Sequence, residues 1–301
     1  MTSIRIGCAQ VSPKVGDLEG NRRLAKTAVR NLAVGFESRI VVLPELMSSG
    51  YVFDSMEEAR SCGEPTDGPT ISRWAEDAAD YGSVIVGGFA ELGEHGALYN
   101  SAAVLGPDGL LAVYRKAHLW DREKLWFMPG SEPPPVVETP FGRIGVAVCY
   151  DLYFPELTRG LALAGADAIV VPANLPLFPR PKRERPVEMA LAQATAHVNK
   201  VWVAVCDRAG PERGVEWTGA SCVVDPDGWL AAGPVDDYGT GIISAECDFR
   251  RARDKAWGPR NDVVGDLRPE LYPTARPASD PSRIASSSER GESRSPASSA
   301  P

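Results

Sequence analysis

Three residues able to do chemistry stand just after short apolar runs. Glu45 follows Ile40-Val41-Val42-Leu43-Pro44, Lys116 follows the strand-like stretch from Leu110 to Arg115, and Cys149 follows Ile144-Gly145-Val146-Ala147-Val148. A carboxylate, an ammonium and a thiol make a plausible set of base, charge stabiliser and nucleophile. Each also has an ordinary reading. Glu45 would be a solvated loop carboxylate, Lys116 a surface lysine beside Arg115, and Cys149 a small buried hydrophobe, as most free cysteines are. All three fall at the carboxyl ends of strand-like runs, where open α/β sheets place ligand sites, and the coincidence favours one catalytic centre. Around Cys149, a turn at Phe141-Gly142 leads into the apolar block, and a helix-like segment starts near Pro155, a normal first-turn residue. Backbone N–H groups at such an elbow point outward and favour a negative charge, which suits a thiolate and an oxyanion site.

The elements that must position these residues are legible in outline. Ile4 to Val11 alternates as a strand, and Asp17 to Phe36 carries Leu24, Ala28 and Leu32 at helical spacing. The run from Arg39 to Glu45 fits a strand buried on both faces. A helix over 70–81, a strand over 83–89 and a hairpin about Gly106-Pro107-Asp108-Gly109 follow. The stretch from Trp120 to Pro135 reads as a loop rich in aromatics. Beyond the cysteine strand come a helix (155–164), a strand (168–172), a helix (184–199), a strand (201–206), a second hairpin about Pro226-Asp227-Gly228 and a closing strand (241–249). Strands and helices alternate with two inserted hairpins, which predicts an α/β layer protein with mixed sheets and no usable internal repeat. Residues 1–276 read as one domain. Residues 277–301, rich in Ser, Pro, Ala and Arg, are too poor in large apolar side chains to order, and disorder is expected there.

Composition narrows the function. Of the 301 residues 44% are hydrophobic and 24% charged, an ordinary globular balance, and the net charge of −8 argues against a nucleic-acid partner. No apolar run is long enough for a membrane helix, and the N-terminus lacks the features of a signal peptide. The six cysteines are dispersed with no C-x-x-C pair, so neither a metal site nor a disulfide framework is expected, and a cytoplasmic protein is the simplest account.

These residues carry a resemblance. The blocks Val42-Leu43-Pro44-Glu45, Tyr114-Arg115-Lys116-Ala117-His118-Leu119 and Gly145 to Glu156 resemble, in order and spacing, those of the carbon–nitrogen hydrolase (nitrilase) superfamily. Lys116 follows Glu45 by 71 residues and Cys149 follows Lys116 by 33. The resemblance runs from about residue 4 to 274. It implies a four-layer αββα sandwich with two mixed β-sheets and a Glu45–Lys116–Cys149 triad, with no cofactor and no metal. It implies that Glu45 acts as general base and acid, Cys149 as nucleophile, and Lys116 with the Tyr150 N–H as oxyanion stabiliser. The segment from Glu123 to Gly130 resembles the family loop that holds a second glutamate, which assigns Glu123 to orienting substrate or water. The alternative is an exposed carboxylate paired with Arg122 or Lys124. Trp120, Asn174 and Phe178 are expected at the pocket, and Trp202 either there or in the core. His118 is expected to be a structural hydrogen-bonding residue. Tyr153 stands where many amidase-branch members carry an arginine, which leaves the transfer of any specific acidic substrate open.

The implied activity is hydrolysis of the non-peptide C–N bond of a small-molecule amide or N-carbamoyl substrate through a thioester. Nitrile hydrolysis is the alternative within enzymes, although true nitrilases usually carry Trp-Glu after the cysteine and here Tyr150-Asp151 follows. A catalytically silent binding protein and a redox-sensing thiol are the alternatives outside. The first has no need of all three residues, and the second has no resolving cysteine near Cys149. The family also implies a homodimer or higher homo-oligomer. The helices from Pro155 and from Glu184, with Ala162, Gly165 and an Ala-rich stretch, are the surfaces expected to meet.

Overall fold

A run such as Ile40-Val41-Val42 is apolar at every position because successive side chains of a strand point to opposite faces, and here both faces are covered. In the computed structural model of the chain, which describes residues 3–235 and 239–272, Ile40 and Val42 join a core with Ile6, Cys8, Val84 and Val86. Val41 instead joins a second core with Leu43, Ile85 and the helical residues Ala25 and Trp74.

The elements are β1 (Ile4–Gln10), α1 (Leu18–Arg30), β2 (Ile40–Val42), α2 (Met56–Ser61), α3 (Pro69–Tyr81), β3 (Val84–Leu92), β4 (Leu98–Gly106) and β5 (Gly109–Arg115). Then come α4 (Glu123–Trp126), β6 (Val136–Thr139), β7 (Gly142–Val146), α5 (Pro155–Leu163), β8 (Ala168–Pro172), α6 (Val187–Asn199), β9 (Trp202–Cys206), β10 (Cys222–Val224), β11 (Leu230–Ala232), β12 (Gly241–Cys247) and α7 (Phe249–Arg253). One sheet has the order β12-β1-β2-β3-β4-β5 and the other β11-β10-β9-β8-β7-β6. In each, three central strands run parallel, β1 with β2 and β3, and β7 with β8 and β9; the flanking strands are antiparallel. The strand β1 packs on β9 and β3 on β8, so the sheets lie face to face. Helices α1 and α3 cover the first sheet and α5 and α6 the second. The architecture is the αββα sandwich.

Several boundaries differ from the sequence reading. The first helix is regular only to Arg30 and ends in a π-helical turn, Asn31–Gly35, while Asp17 caps its start by accepting from the Gly20 N–H. Short elements lie where none was expected, among them α2, α4, β6 and α7. The helix α2 has too few apolar residues for a periodic pattern and rests on a local cap, Ser55 Oγ accepting from the Glu58 N–H. The strand β6 is an edge strand after a proline run. The helix expected from 184 begins at Val187, because Pro186 supplies its N-cap. The unit defined by internal contacts runs to Val264. Beyond it the described residues hold one 3-10 turn, Pro269–Leu271. The tail expected from 277 lies outside the described residues.

Candidate active site

The four sequence-predicted polar residues meet at one point between the sheets. Glu45 lies three residues past β2, Lys116 directly after β5, Cys149 three residues past β7, and Glu123 opens α4. All four are buried. Lys116 Nζ donates to Glu45 Oε1 at 2.7 Å and to Glu123 Oε1 at 2.7 Å. The surface reading of Lys116 and the Arg122 or Lys124 pairing of Glu123 are therefore both replaced by one internal ion triple.

Local backbone geometry makes room for this. The turn after β2 crosses β3 at Gly88, where a Cβ would sit 2.4 Å from the Leu46 nitrogen and 2.5 Å from Glu45 Cα. Only glycine allows that approach. Gly130 plays the same part for Lys116: a Cβ there would lie 2.1 Å from the Arg115 carbonyl oxygen, and its N–H donates to the Lys116 carbonyl. Leu46 and Cys149 have positive φ, 48° and 45°, a conformation that non-glycine residues adopt at a cost on the order of 1 kcal/mol or more. Cys149 does not sit at the start of the helix at Pro155. It opens an intervening 3-10 turn, Cys149–Tyr153.

Asn174, expected on the pocket wall, is instead the bridge between base and thiol. Its backbone N–H donates to Glu45 Oε2 and its Nδ2 to the Glu45 carbonyl, both at 3.0 Å, while its own carbonyl accepts from Cys149 Sγ at 3.5 Å. Asn100 Nδ2 gives Glu45 Oε1 another bond at 2.7 Å. The side-chain oxygens of Asn100 and Asn174 are buried and accept no hydrogen bond within the protein. Glu123 is also held by the Tyr51 hydroxyl at 2.5 Å and by the Trp120 N–H at 3.1 Å. Tyr51 and Asn100 were missed from sequence. Tyr51 follows the same turn as Glu45, so extending the strand-end rule by one turn would have reached it; nothing marks Asn100 within its strand.

Behind the thiol, Asp151 fastens the cysteine elbow to the lysine strand. One oxygen accepts from the Val148 N–H and the Tyr114 hydroxyl at 3.0 Å, the other from the His118 N–H at 3.1 Å and faces His118 Nδ1 at 2.7 Å. His118 stacks on Phe154 with ring centres 3.5 Å apart, the structural role expected of it. Trp202 belongs to the core, where its indole N–H donates to the Asp248 carbonyl.

Burial sets the protonation of the site. It raises the Glu45 carboxyl to about 7, with Lys116 opposing and Glu123 adding to the rise. Burial pushes the Cys149 thiol well up, with Glu45 adding to the rise and Lys116 opposing it, so the resting sulfur is protonated. For Lys116 burial acts against the charge, but Glu123 and Glu45 outweigh it and hold the ammonium protonated.

Cys149 faces a narrow throat formed with Trp120, Tyr150, Tyr153, Leu175 and Phe178. Trp120, Tyr150, Pro176 and Phe178 also line an outer cavity of about 500 Å³. Trp120 packs edge-on against Tyr150 and Phe178. The expected pocket residues Trp120, Tyr150 and Phe178 thus come together at the mouth of the thiol. Tyr153 turns its hydroxyl to Glu188 of α6 at 2.8 Å. Among the described residues no group of three or more His, Cys, Asp or Glu is placed to hold a metal, and no helix is long and apolar enough to cross a membrane.

A thiol, a carboxyl group near neutrality and a fixed ammonium, brought together between two mixed sheets, have the composition of a hydrolase centre for acyl–nitrogen bonds. The sequence pattern of the carbon-nitrogen hydrolase family matches residues 5–256, and the chain belongs to that family of enzymes. It is 35% identical over 271 residues to a nitrilase of Pyrococcus abyssi, covering 89% of this chain and 99% of the relative. It is 29% identical over 291 residues to the N-carbamoylputrescine amidase of Arabidopsis thaliana, covering 90% and 93%. A similar solved structure is a Glu→Gln mutant of the amidase from Nesterenkonia sp. AN1, with acrylamide joined by Michael addition at its active site cysteine. The TM-score is 0.72 at 27% identity, over 89% of this chain and 98% of that one.

Proposed function

We propose that the protein hydrolyses the C–N bond of a small amide or N-carbamoyl compound through a thioester on Cys149. The observation that carries this reading is the shared hydrogen bonding of Glu45: Lys116 Nζ at 2.7 Å on one oxygen, and on the other the N–H of Asn174, whose carbonyl holds the thiol. In this reading the Cys149 proton passes to Glu45 as sulfur attacks the acyl carbon, and the carbonyl π pair moves onto oxygen. Lys116 and the Tyr150 N–H stabilise that oxyanion. The intermediate collapses, the C–N bond breaks, and Glu45 returns its proton to the departing nitrogen. Water then loses a proton to Glu45 as it attacks the thioester; the C–S bond breaks and sulfur takes the proton back. Glu123, bonded to Lys116, Tyr51 and the Trp120 backbone, fixes the ammonium and the throat wall in place.

Amides are favoured over nitriles by the Tyr150-Asp151 pair after the cysteine, and the amidase names among the relatives fit. Mass spectrometry of the enzyme quenched during turnover tests this: an adduct of the acyl mass on Cys149 is expected. Ammonia release with no adduct, together with turnover by Cys149→Ala, would sink the reading.

We also propose that the enzyme is a cytoplasmic two-fold homodimer. The free state of all six cysteines suits a reducing compartment. The outer faces of α5 and α6 suit a self-complementary contact, argued below.

A further inference from the structure

We propose that the cavity over Cys149 selects uncharged substrates with an apolar or aromatic body, and rejects those carrying a carboxylate or an ammonium at the far end from the amide. This rests on the hydrolytic reading above and names the class of compound that reading leaves open. The walls of the cavity are mostly rings: Trp120 with Phe178 on one side, Tyr51 edge-on to Trp217 at 5.1 Å on the other, and Phe53 and Trp126 beyond.

The buried charges are already matched. Among the described residues each buried cation has its counter-charge: Lys116 lies between Glu45 and Glu123, Arg208 is 2.9 Å from Glu212, and Lys200 is 3.8 Å from Asp227. The buried carboxylate on the wall, Glu123, has its oxygens bonded by Lys116, Tyr51 and the Trp120 N–H. The other charged lining residues, Asp121, Arg122 and Lys124, are exposed at the rim and carry both signs. A charged group drawn in past the rings loses water and gains no ion partner, which is costly, whereas each methylene placed among the rings is favourable.

The test compares amides of graded length on the full-length enzyme. From acetamide to hexanamide kcat/KM is expected to rise about threefold or more per methylene. The monoamide of adipic acid and 6-aminohexanamide, close in size to hexanamide, are expected about a hundredfold or more below it. A flat series, or a charged analogue as good as hexanamide, overturns the proposal. Val215 lines the same cavity, and Val215→Arg is expected to raise the adipic monoamide relative to hexanamide by about tenfold or more; no change in that ratio counts against the proposal. Binding of the same amides to Cys149→Ala reads the cavity without turnover. If that variant ranks them neutral over charged while the wild type hydrolyses none, the hydrolytic reading fails and the cavity assignment stands. If it ranks a charged amide first, the cavity assignment fails whatever the turnover.

Discussion

Lys116 holds two carboxylates on one buried ammonium, and this arrangement decides what Glu45 can do. With its carboxyl raised to about 7, Glu45 is near the ideal strength for taking and returning a proton at neutral pH. The proposed mechanism needs the ionised form, so kcat/KM is expected to climb with pH through about 7 and level off above it; a flat profile from pH 5 to 8 would remove Glu45 as the base. Cys149→Ala is expected to lose about a thousandfold or more of the turnover, with an unchanged melting temperature within a few degrees, since only a small side chain goes. Ammonia release and thermal denaturation on the same preparation check both halves. Glu45, Lys116 and Cys149 were legible as candidates because each follows an apolar run that fixes where the chain stops being a strand; Glu123 was reached only through the resemblance of its loop. Tyr51 and Asn100 were not, because their meaning lies in contacts across 72 and 55 residues. Asn174 was singled out as a pocket residue past a strand end; what sequence could not show is that its backbone and its Nδ2 bridge Glu45 and Cys149.

At the scale of elements, the loops that follow β8 and β9 depend on one buried carboxyl. Asp207 Oδ1 accepts from the N–H groups of Leu175 and Arg208, and Oδ2 from Ala220. Leu175 adjoins Asn174, so Asp207 positions the bridge between Glu45 and Cys149. Burial raises Asp207 to about 7, against the pull of the three N–H groups and Arg208. Because its folded value lies above the ordinary aspartate value of 3.8, the folded protein binds the extra proton between these limits, and stability falls as pH rises through that window. Glu45 adds to the same trend. The wild-type melting temperature is therefore expected to decline from pH 5 to 8, and Asp207→Asn, which cannot titrate, to decline less. Asp207→Asn also turns an amide N–H2 toward the Ala220 N–H, at a cost of about 1–3 kcal/mol. If Asp207 positions the site, kcat drops about tenfold or more; an unchanged kcat in a variant with a lowered melting temperature assigns it to the fold alone. The long elements were legible because apolar periodicity reports burial. The elements α2, α4 and β6 were not, since they are too short for a period and rest on caps and edge pairing.

Seen whole, the molecule is two halves built alike. The order β1-α1-β2-α3-β3 with two antiparallel strands after it recurs as β7-α5-β8-α6-β9 with two antiparallel strands. No repeat is visible in the sequence, because each half keeps only the apolar pattern and not the residues. The halves differ on their outer faces. On α6, Val187, Ala190, Ala194 and Val198 are exposed at spacings of three and four, and Gly160, Leu163 and Ala164 are exposed on the adjoining α5. Ala162, read from sequence as an outward contact, is buried against its own sheet. An apolar stripe of small residues running along a helix lets a second helix approach closely and loses water when covered. The stripe is linked to the thiol: α5 begins directly beyond the cysteine turn, and Tyr153 of that turn bonds Glu188 of α6. A two-fold contact through α5 and α6 would therefore hold the elbow from outside. Ala194→Arg places a charge in the middle of the stripe without disturbing the core. It is expected to shift the protein from dimer to monomer in sedimentation and to lower kcat in step with the fraction of dimer lost. Wild-type protein sedimenting as a fully active monomer at micromolar concentration would rule the contact out, and a monomeric Ala194→Arg with full activity would keep the dimer but cut its link to the site.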